Sequence, residues 1–359
     1  MLARALSLVS VVALLVTPAA AQTSRHVLKG DSVAIYNLVG ELRVEGGGGA
    51  GADVVVEIQR GGDDAAKLDV QSGPLRGRET LRVIYPDDVI IMPDWGRGWN
   101  TTMHVRDDGT FGDEDWWEGK HHNHADGREV RITGRSRSGL EAFADLHVTV
   151  PKGKTVGLYL GVGKAFVTNV DGAIRVWVAS ADVAADRARG SLRIQTGSGN
   201  VDLRTASGDV GLATGSGDIT AAGVDGSRLR LETGSGTVKL RDGKAADIHV
   251  ETGSGDIDVT ATSGDELSFE TGSGDVDVAL TATFSSVHIE TGSGDVTLKV
   301  PATVGAQVDL DTGSGDIDLG GLTLQVRHIE HDHVSGTLGD GKGRLSVETG
   351  SGNVYLQKL

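Results

Sequence analysis

The 359-residue chain contains no cysteine. That excludes disulfides and cysteine nucleophiles, so stability has to come from packing alone. Positive charge is in deficit: 34 Lys and Arg stand against 50 Asp and Glu, a formal net charge of −16. Such a surface argues against nucleic acid and anionic lipid as partners. Helical periodicity is missing beyond the first residues, and no later segment approaches the 18 or so apolar residues of a membrane span.

Enzyme signatures are missing too. The recurring T-G-S-G-D lacks the spacing and the strand-to-helix setting of a hydrolase G-x-S-x-G elbow. Gly161-Val162-Gly163-Lys164-Ala165 lacks the earlier Gly and the Ser/Thr of a phosphate-binding loop. The expectation is a protein that is not an enzyme.

Residues 1–21 carry Arg4, an apolar run over 6–16 and Ala19-Ala20-Ala21. This predicts a secretory signal peptide cleaved before Gln22, with the mature chain exported to the periplasm, the outer cell envelope or the medium. Without a cysteine at the cleavage point, no lipid anchor is expected.

What the sequence has in abundance is glycine, 54 residues, arranged to a beat. T-G-S-G begins at Thr196, Thr214, Thr233, Thr252, Thr271, Thr291, Thr312 and Thr349, at intervals of 18, 19, 19, 19, 20, 21 and then 37. The last interval is two units long, and His333–Leu338 reads as a worn copy inside it. Apolar residues stand four and two positions before each Thr (Ile248 and Val250, for example) and five and seven after it (Ile257 and Val259). Each pair has the period of a strand with one buried face. The parity flips across Gly-Ser-Gly, so that tripeptide has to be a corner.

The fold class predicted is all-β: a single-stranded parallel β-solenoid, or β-helix, with coils of about 19 residues. The domains read as 1–21 signal peptide, 22–150 an irregular N-terminal β cap, and 151–359 the solenoid repeats. The opening unit around Ile35–Val44 already resembles a coil. Few residues follow the final strand, so the C-terminal coil is expected to lack a cover and to offer a surface for self-association.

Within the cap, residues 86–128 break the pattern. Four of the five tryptophans (Trp95, Trp99, Trp116, Trp117) lie here with His121, His122 and His124. An aperiodic stretch this long reads as a surface insertion separable from the fold. Its tryptophans are candidate ligand-binding residues and its histidines candidate metal ligands.

Two further sets carry candidate chemistry. Glu232, Glu251, Glu270, Glu290 and Asp311 precede the Thr of their coils, while Asp256, Asp275, Asp295 and Asp316 follow by four. Stacked carboxylates repel, so either hydrogen bonding or a cation such as Ca²⁺ should offset the repulsion. No other cofactor is implied. His331 and His333, at strand spacing with His328 nearby, suit Zn²⁺ or Cu²⁺.

The leader, the unit at Ile35–Val44, the Val150-Pro151-Lys152-Gly153 step and the tandem E-T-G-S-G-D-[VI] coils together resemble the bacterial putative adhesin family of exported β-helical proteins. The resemblance implies a parallel β-solenoid of the cell envelope and assigns no catalytic residue. The function expected is a non-enzymatic scaffold or adhesin-like multivalent binder, its repeated Thr and carboxylate groups meeting a surface glycan or an envelope protein. The alternatives are an end-to-end polymerising structural element and a carbohydrate-active β-helix enzyme.

Overall fold

The computed structural model describes residues 22–49, 51–92, 99–112, 127–136 and 138–359. The leader lies outside them. The described chain is all-β: the only helical element among these residues is the 3-10 turn Ala65–Lys67.

From Thr155 to Asp318, and again over Gly343–Lys358, the strands stack in parallel, in register apart from shifts at Ser207/Val210 and Val259/Thr262. Thr155–Thr168 pairs with Asp171–Asp186 at an offset of 18 (Val156 opposite Ile174, Val167 opposite Ala185). Ile219–Thr233 pairs with Val238–Thr252 at an offset of 19. That second ladder has three segments, beginning at Ile219, Val224 and Arg228, so the return between the two expected strands is itself hydrogen-bonded.

The alternation follows the sequence pattern. Ile248, Val250, Ile257 and Val259 are all buried, as are Val238, Leu240, Val276 and Val278. Fully burying such a side chain stabilises by roughly 1.5–3 kcal/mol, which is why the alternation is kept coil after coil. The parity flip is real, because the Thr that opens each corner is buried as well (Thr252 at 2%).

Close approach, more than unusual dihedrals, explains the corner glycines. A Cβ on Gly215 would lie 2.5 Å from the Gly197 carbonyl oxygen of the preceding coil, and one on Gly234 would lie 2.5 Å from that of Gly215. At the second glycine of each corner, such as Gly255 against Gly236, the approach is closer still. Side chains there would force the stack apart.

The first coil comes early. Ser32–Gly46 pairs in parallel with Thr155–Thr168, Tyr36 opposite Tyr159 and Leu42 opposite Ala165. Residues 47–154 therefore leave the stack and return to it. Lys154, 5% exposed, closes the re-entry: its Nζ donates to the Gly30 carbonyl at 2.8 Å and to Asp31 Oδ1 at 3.0 Å. On one side of the first coil Phe143–Val150 pairs in parallel, followed by Val54–Gly61 and Gln22–Leu28 in antiparallel. On another side Arg78–Ile84 and Asp69–Leu75 extend it.

The expectation that 86–128 is separable from the fold is corrected. Its described part supplies Asn100–Val105, antiparallel to Arg128–Thr133, which also pairs with Val89–Ile91 in a second three-stranded sheet. Met103, Val105 and Phe111 are buried. Phe111 meets Tyr36 edge-on at 5.6 Å and Trp177 at 5.9 Å, while Tyr36 stacks on Tyr159 at 4.2 Å. At one stacked outward position the first three coils carry aromatics, Tyr36, Tyr159 and Trp177, and Phe111 of this segment packs against Tyr36 and Trp177.

The expectation of an uncovered C-terminal coil is also overturned. Gly343–Thr349 pairs with Ser286–Thr291 on one side and Ala306–Thr312 on the other. Val354–Lys358 is likewise held between Val296–Val300 and Ile317–Asp318. The last coil in sequence is thus inserted between two earlier ones, which the near-identity of the coils permits. The end of the stack is Ala306–Asp318. Nor is His333–Leu338 a worn coil: it runs antiparallel to Ala306–Thr312 and pairs with Leu324–Ile329 to form a covering hairpin. Its alternation of buried Val334, Gly336 and Leu338 holds whichever way the strand runs.

Candidate functional site

Three columns of polar residues run along the stack, and the structure separates their roles. The corner threonines face inward. Thr233 Oγ1 donates to the Gly217 carbonyl, Thr252 to Gly236 and Thr271 to Gly255, each at 2.9 Å. Each hydroxyl satisfies a carbonyl of the previous corner, so the threonines are part of the core. The expectation that they meet a ligand is corrected.

The Asp column after the corner is a second internal ladder. Asp256 Oδ1 accepts the Asp275 backbone N–H at 3.0 Å, Asp275 accepts from Asp295 at 2.8 Å, and Asp295 accepts from Asn353 at 2.7 Å. Asn353 Oδ1 in turn accepts from Asp316 at 3.0 Å, and Asn200 from Asp218 at 2.9 Å. Asparagine serves where it occurs, so the column needs an acceptor oxygen and no charge. This hydrogen bonding accounts for Asp256, Asp275 and Asp295 as well as for the spacing. The Asp316 side chain, at the end, meets His331 Nε2 at 3.1 Å.

The third column faces solvent. Pairing puts Glu232 beside Glu251, then Glu270, Glu290, Glu348 and Asp311. The inserted coil contributes Glu348 in the middle, which makes six consecutive carboxylates. Neighbours about 4.8 Å apart repel by about 0.9 kcal/mol at the dielectric of water. A parallel column two residues earlier offsets part of this: Arg230, His249, Ser268, His288, Ser346 and Asp309. Arg230 pairs with Glu232, His249 Nε2 lies 3.4 Å from Glu251, Ser268 Oγ donates to Glu270 at 2.6 Å, and His288 Nε2 lies 3.6 Å from Glu290. The sequence carried this signal as His or Ser three positions before Thr in three successive coils, at His249, Ser268 and His288, and again at Ser346.

Both columns end on the covering hairpin. Asp311 faces His333, and Asp309 faces Ser335, whose other neighbour is His328. His331 does not join them, because it lies in the turn before His333–Leu338 rather than on one strand with His333. His333 Nδ1 is 2.7 Å from Asp311 Oδ1 and its Nε2 is 3.7 Å from Asp309 Oδ1. The hydrogen bond to Asp311 holds the His333 pKa above the ordinary histidine value.

Of the predicted insertion residues, Trp95, Trp116, Trp117, His121, His122 and His124 lie outside the described residues. Trp99 is described, and it packs partly buried against the core.

At the opposite end of the stack, Glu41, Arg43, Glu57, Asp145 and His147 line a shallow groove of about 260 Å³. Asp145 Oδ1 accepts the Glu41 N–H at 2.7 Å, yet burial keeps its pKa above the usual aspartate value. Among the described residues, no helix is long and apolar enough to cross a membrane.

No curated protein matches this chain. Among solved structures, a "putative cell adhesion protein" from Clostridium sporogenes ATCC 15579 aligns over 94% of this chain and all of its own at 8% identity. The TM-score of 0.24 leaves that likeness without weight for fold or function. The sequence profile of Toastrack DUF4097 matches residues 117–357, and the chain belongs to that family.

Proposed function

We propose that the chain is an exported, non-enzymatic parallel β-solenoid that works as an adhesin-like binding scaffold. The observation that carries this is the outward column Glu232, Glu251, Glu270, Glu290, Glu348 and Asp311. The inward Thr and the Asp ladder are spent on the fold. The Glu column is the repeated chemistry left facing water, on a rigid support with strand spacing. A partner with cationic or hydroxyl groups at matching intervals gains from several weak contacts at once. A surface glycan carrying amino groups, or a basic segment of an envelope protein, has that chemistry.

The test is a glycan and basic-peptide array probed with the wild type and with Glu251→Gln/Glu270→Gln/Glu290→Gln/Glu348→Gln. The expected result is loss of binding far beyond the effect of any single substitution. Unchanged binding by the quadruple variant contradicts the proposal. A second reading, end-to-end assembly, draws support from the outermost strand Leu324–Ile329, where Val326 and Ile329 are 47% and 64% exposed. Exposed strand edges pair readily. Light scattering that shows polymers dissolved by Val326→Lys/Ile329→Lys favours that reading.

A further inference from the structure

The strands that follow the corners form one ladder with an open edge at each end of the molecule. It runs coil by coil from Leu42, beside Ala165, to Val354, beside Ile317. Beyond Leu42 it continues through Phe143–Val150 and Val54–Gly61 to Gln22–Leu28. Among the described residues no strand pairs with the far side of Gln22–Leu28 or of Ile317–Asp318. Phe143–Val150 is parallel to the coils, and the two antiparallel steps after it cancel. Gln22–Leu28 therefore runs in the same direction as Ile317–Asp318. Moving a second copy along the stack, with the rotation that sheet twist adds, brings one edge against the other as the next rung of a parallel ladder.

Burial shows that the C-terminal edge lacks a neighbour. Val296, Leu298, Val354 and Leu356 are buried, but Ile317 and Leu319, at the same two positions of the end coil, are only partly so. The other ladder overshoots there by two strands, His333–Leu338 and Leu324–Ile329. Val326 and Ile329 lie opposite Gly336 and Val334, which face inward, yet both are exposed. The end of the stack is thus an apolar step beside an unpaired edge.

Charge distinguishes the two ends. Residues 22–30 carry Arg25, His26 and Lys29 and no carboxylate. Residues 316–332 carry Asp316, Asp318, Glu330 and Asp332 against a single Lys or Arg, Arg327. Asp316 meets His331 at 3.1 Å, which places Glu330 and Asp332 close to the edge. Unlike ends attract, whereas two N-terminal or two C-terminal edges repel.

We propose that copies of this chain join head to tail, Gln22–Leu28 of one adding to Ile317–Asp318 of the next. A contact between two different patches repeats from copy to copy and builds a filament unless the rotation closes a ring. The other ladder offers a poorer joint, because its N-terminal edge, Asp69–Leu75, carries Pro74, which has no N–H to give. This joint rests on the end-to-end reading of the chain and names the two edges that meet; it does not draw on the Glu column.

The experiment uses the exported chain at neutral pH and low salt. Sedimentation velocity should show a mass that grows past the dimer with concentration and falls as NaCl is added. Arg25→Glu and Asp318→Arg should each raise the concentration needed for assembly, and the double variant should lower it again. Arg25→Cys mixed with Asp318→Cys and treated with a short bismaleimide should give a covalent dimer holding one copy of each, while either variant alone should give none. Far-UV circular dichroism should show every variant folded. A wild type that stays monomeric at its highest soluble concentration overturns both this joint and the end-to-end reading. Assembly that Val326→Lys/Ile329→Lys dissolves, without the cross-link between positions 25 and 318, overturns the joint alone. So do covalent dimers from either single-cysteine variant, and so does assembly indifferent to both charge reversals.

Discussion

Replacing the Asp ladder separates its structural role from a cation-binding one. Consider Asp256, Asp275 and Asp295 changed together, once to Asn and once to Ala. Each Oδ1 accepts a backbone N–H of the next coil at 3.0, 2.8 and 2.7 Å in turn. Both triple variants remove the same charges, so both gain the same relief from repulsion, about 0.9 kcal/mol per neighbouring pair before salt screening. They differ in the acceptor. Asn keeps it, as Asn200 and Asn353 do in the natural chain, whereas Ala deletes it. One neutral hydrogen bond contributes about 1 kcal/mol, so the Ala triple should be about 3 kcal/mol less stable than the Asn triple. The Asn triple should fall within about 1–2 kcal/mol of the wild type, weaker uncharged bonds opposing the relieved repulsion. Urea unfolding followed by circular dichroism reads the difference, and Tm with Ca²⁺ or with chelator provides the control. Equal stability of the two triples, or a rise in Tm with Ca²⁺ that the Asn triple loses, would refute the structural role.

Other consequences follow from single contacts. Phe111→Ala should cost about 3–5 kcal/mol, because Phe111 is buried between Tyr36 and Trp177; a change below 1 kcal/mol in urea unfolding would restore 86–128 as a separable insertion. Gly255→Ala should severely destabilise or unfold the stack, since its Cβ would collide with the Gly236 carbonyl, and an unchanged Tm would contradict the coil spacing. Asp145→Asn should raise Tm at pH 7, because burial disfavours the charged carboxylate while Asn can still accept the Glu41 N–H. The sign follows from the raised folded-state pKa: the penalty is present when Asp145 is ionised and disappears as pH falls through that pKa. The variant's advantage should therefore shrink towards pH 4, and a Tm difference that grows on acidification contradicts the assignment.

Much of the stack was legible in the sequence because strand burial has period two and a corner glycine changes parity. The inward sets that include Ile248, Val250, Ile257 and Val259 needed nothing else, and all four are buried. Coil order was not legible. Leu345, Val347, Val354 and Leu356 fit against any neighbour whose own residues sit at the same offsets, so sequence alone assigned them to the end. The missing sign was negative: His333–Leu338 is followed by Gly339-Asp340-Gly341 and not by a corner and second strand. The cap failed differently. Phe111, Tyr36 and Trp177 are far apart in sequence with no shared period, and only the return of the chain at Lys154 brings them together. At the hairpin, His333 was legible as a candidate ligand. Its partners Asp309 and Asp311 were not, because alternating burial has the same period in a parallel and an antiparallel strand.

Insertion of the last coil creates the unbroken Glu column and places the covering hairpin. Since the chain has no cysteine, two introduced cysteines report on it directly. Neighbouring coils lie about 4.8 Å apart, within disulfide reach, whereas coils two apart lie at roughly 10 Å, beyond it. Under mild oxidation, intact-mass analysis should find Glu290→Cys/Glu348→Cys cross-linked within one chain and Glu290→Cys/Asp311→Cys still reduced. Cross-linking of the 290–311 pair with the 290–348 pair left reduced would show the coils stacked in sequence order and contradict the account.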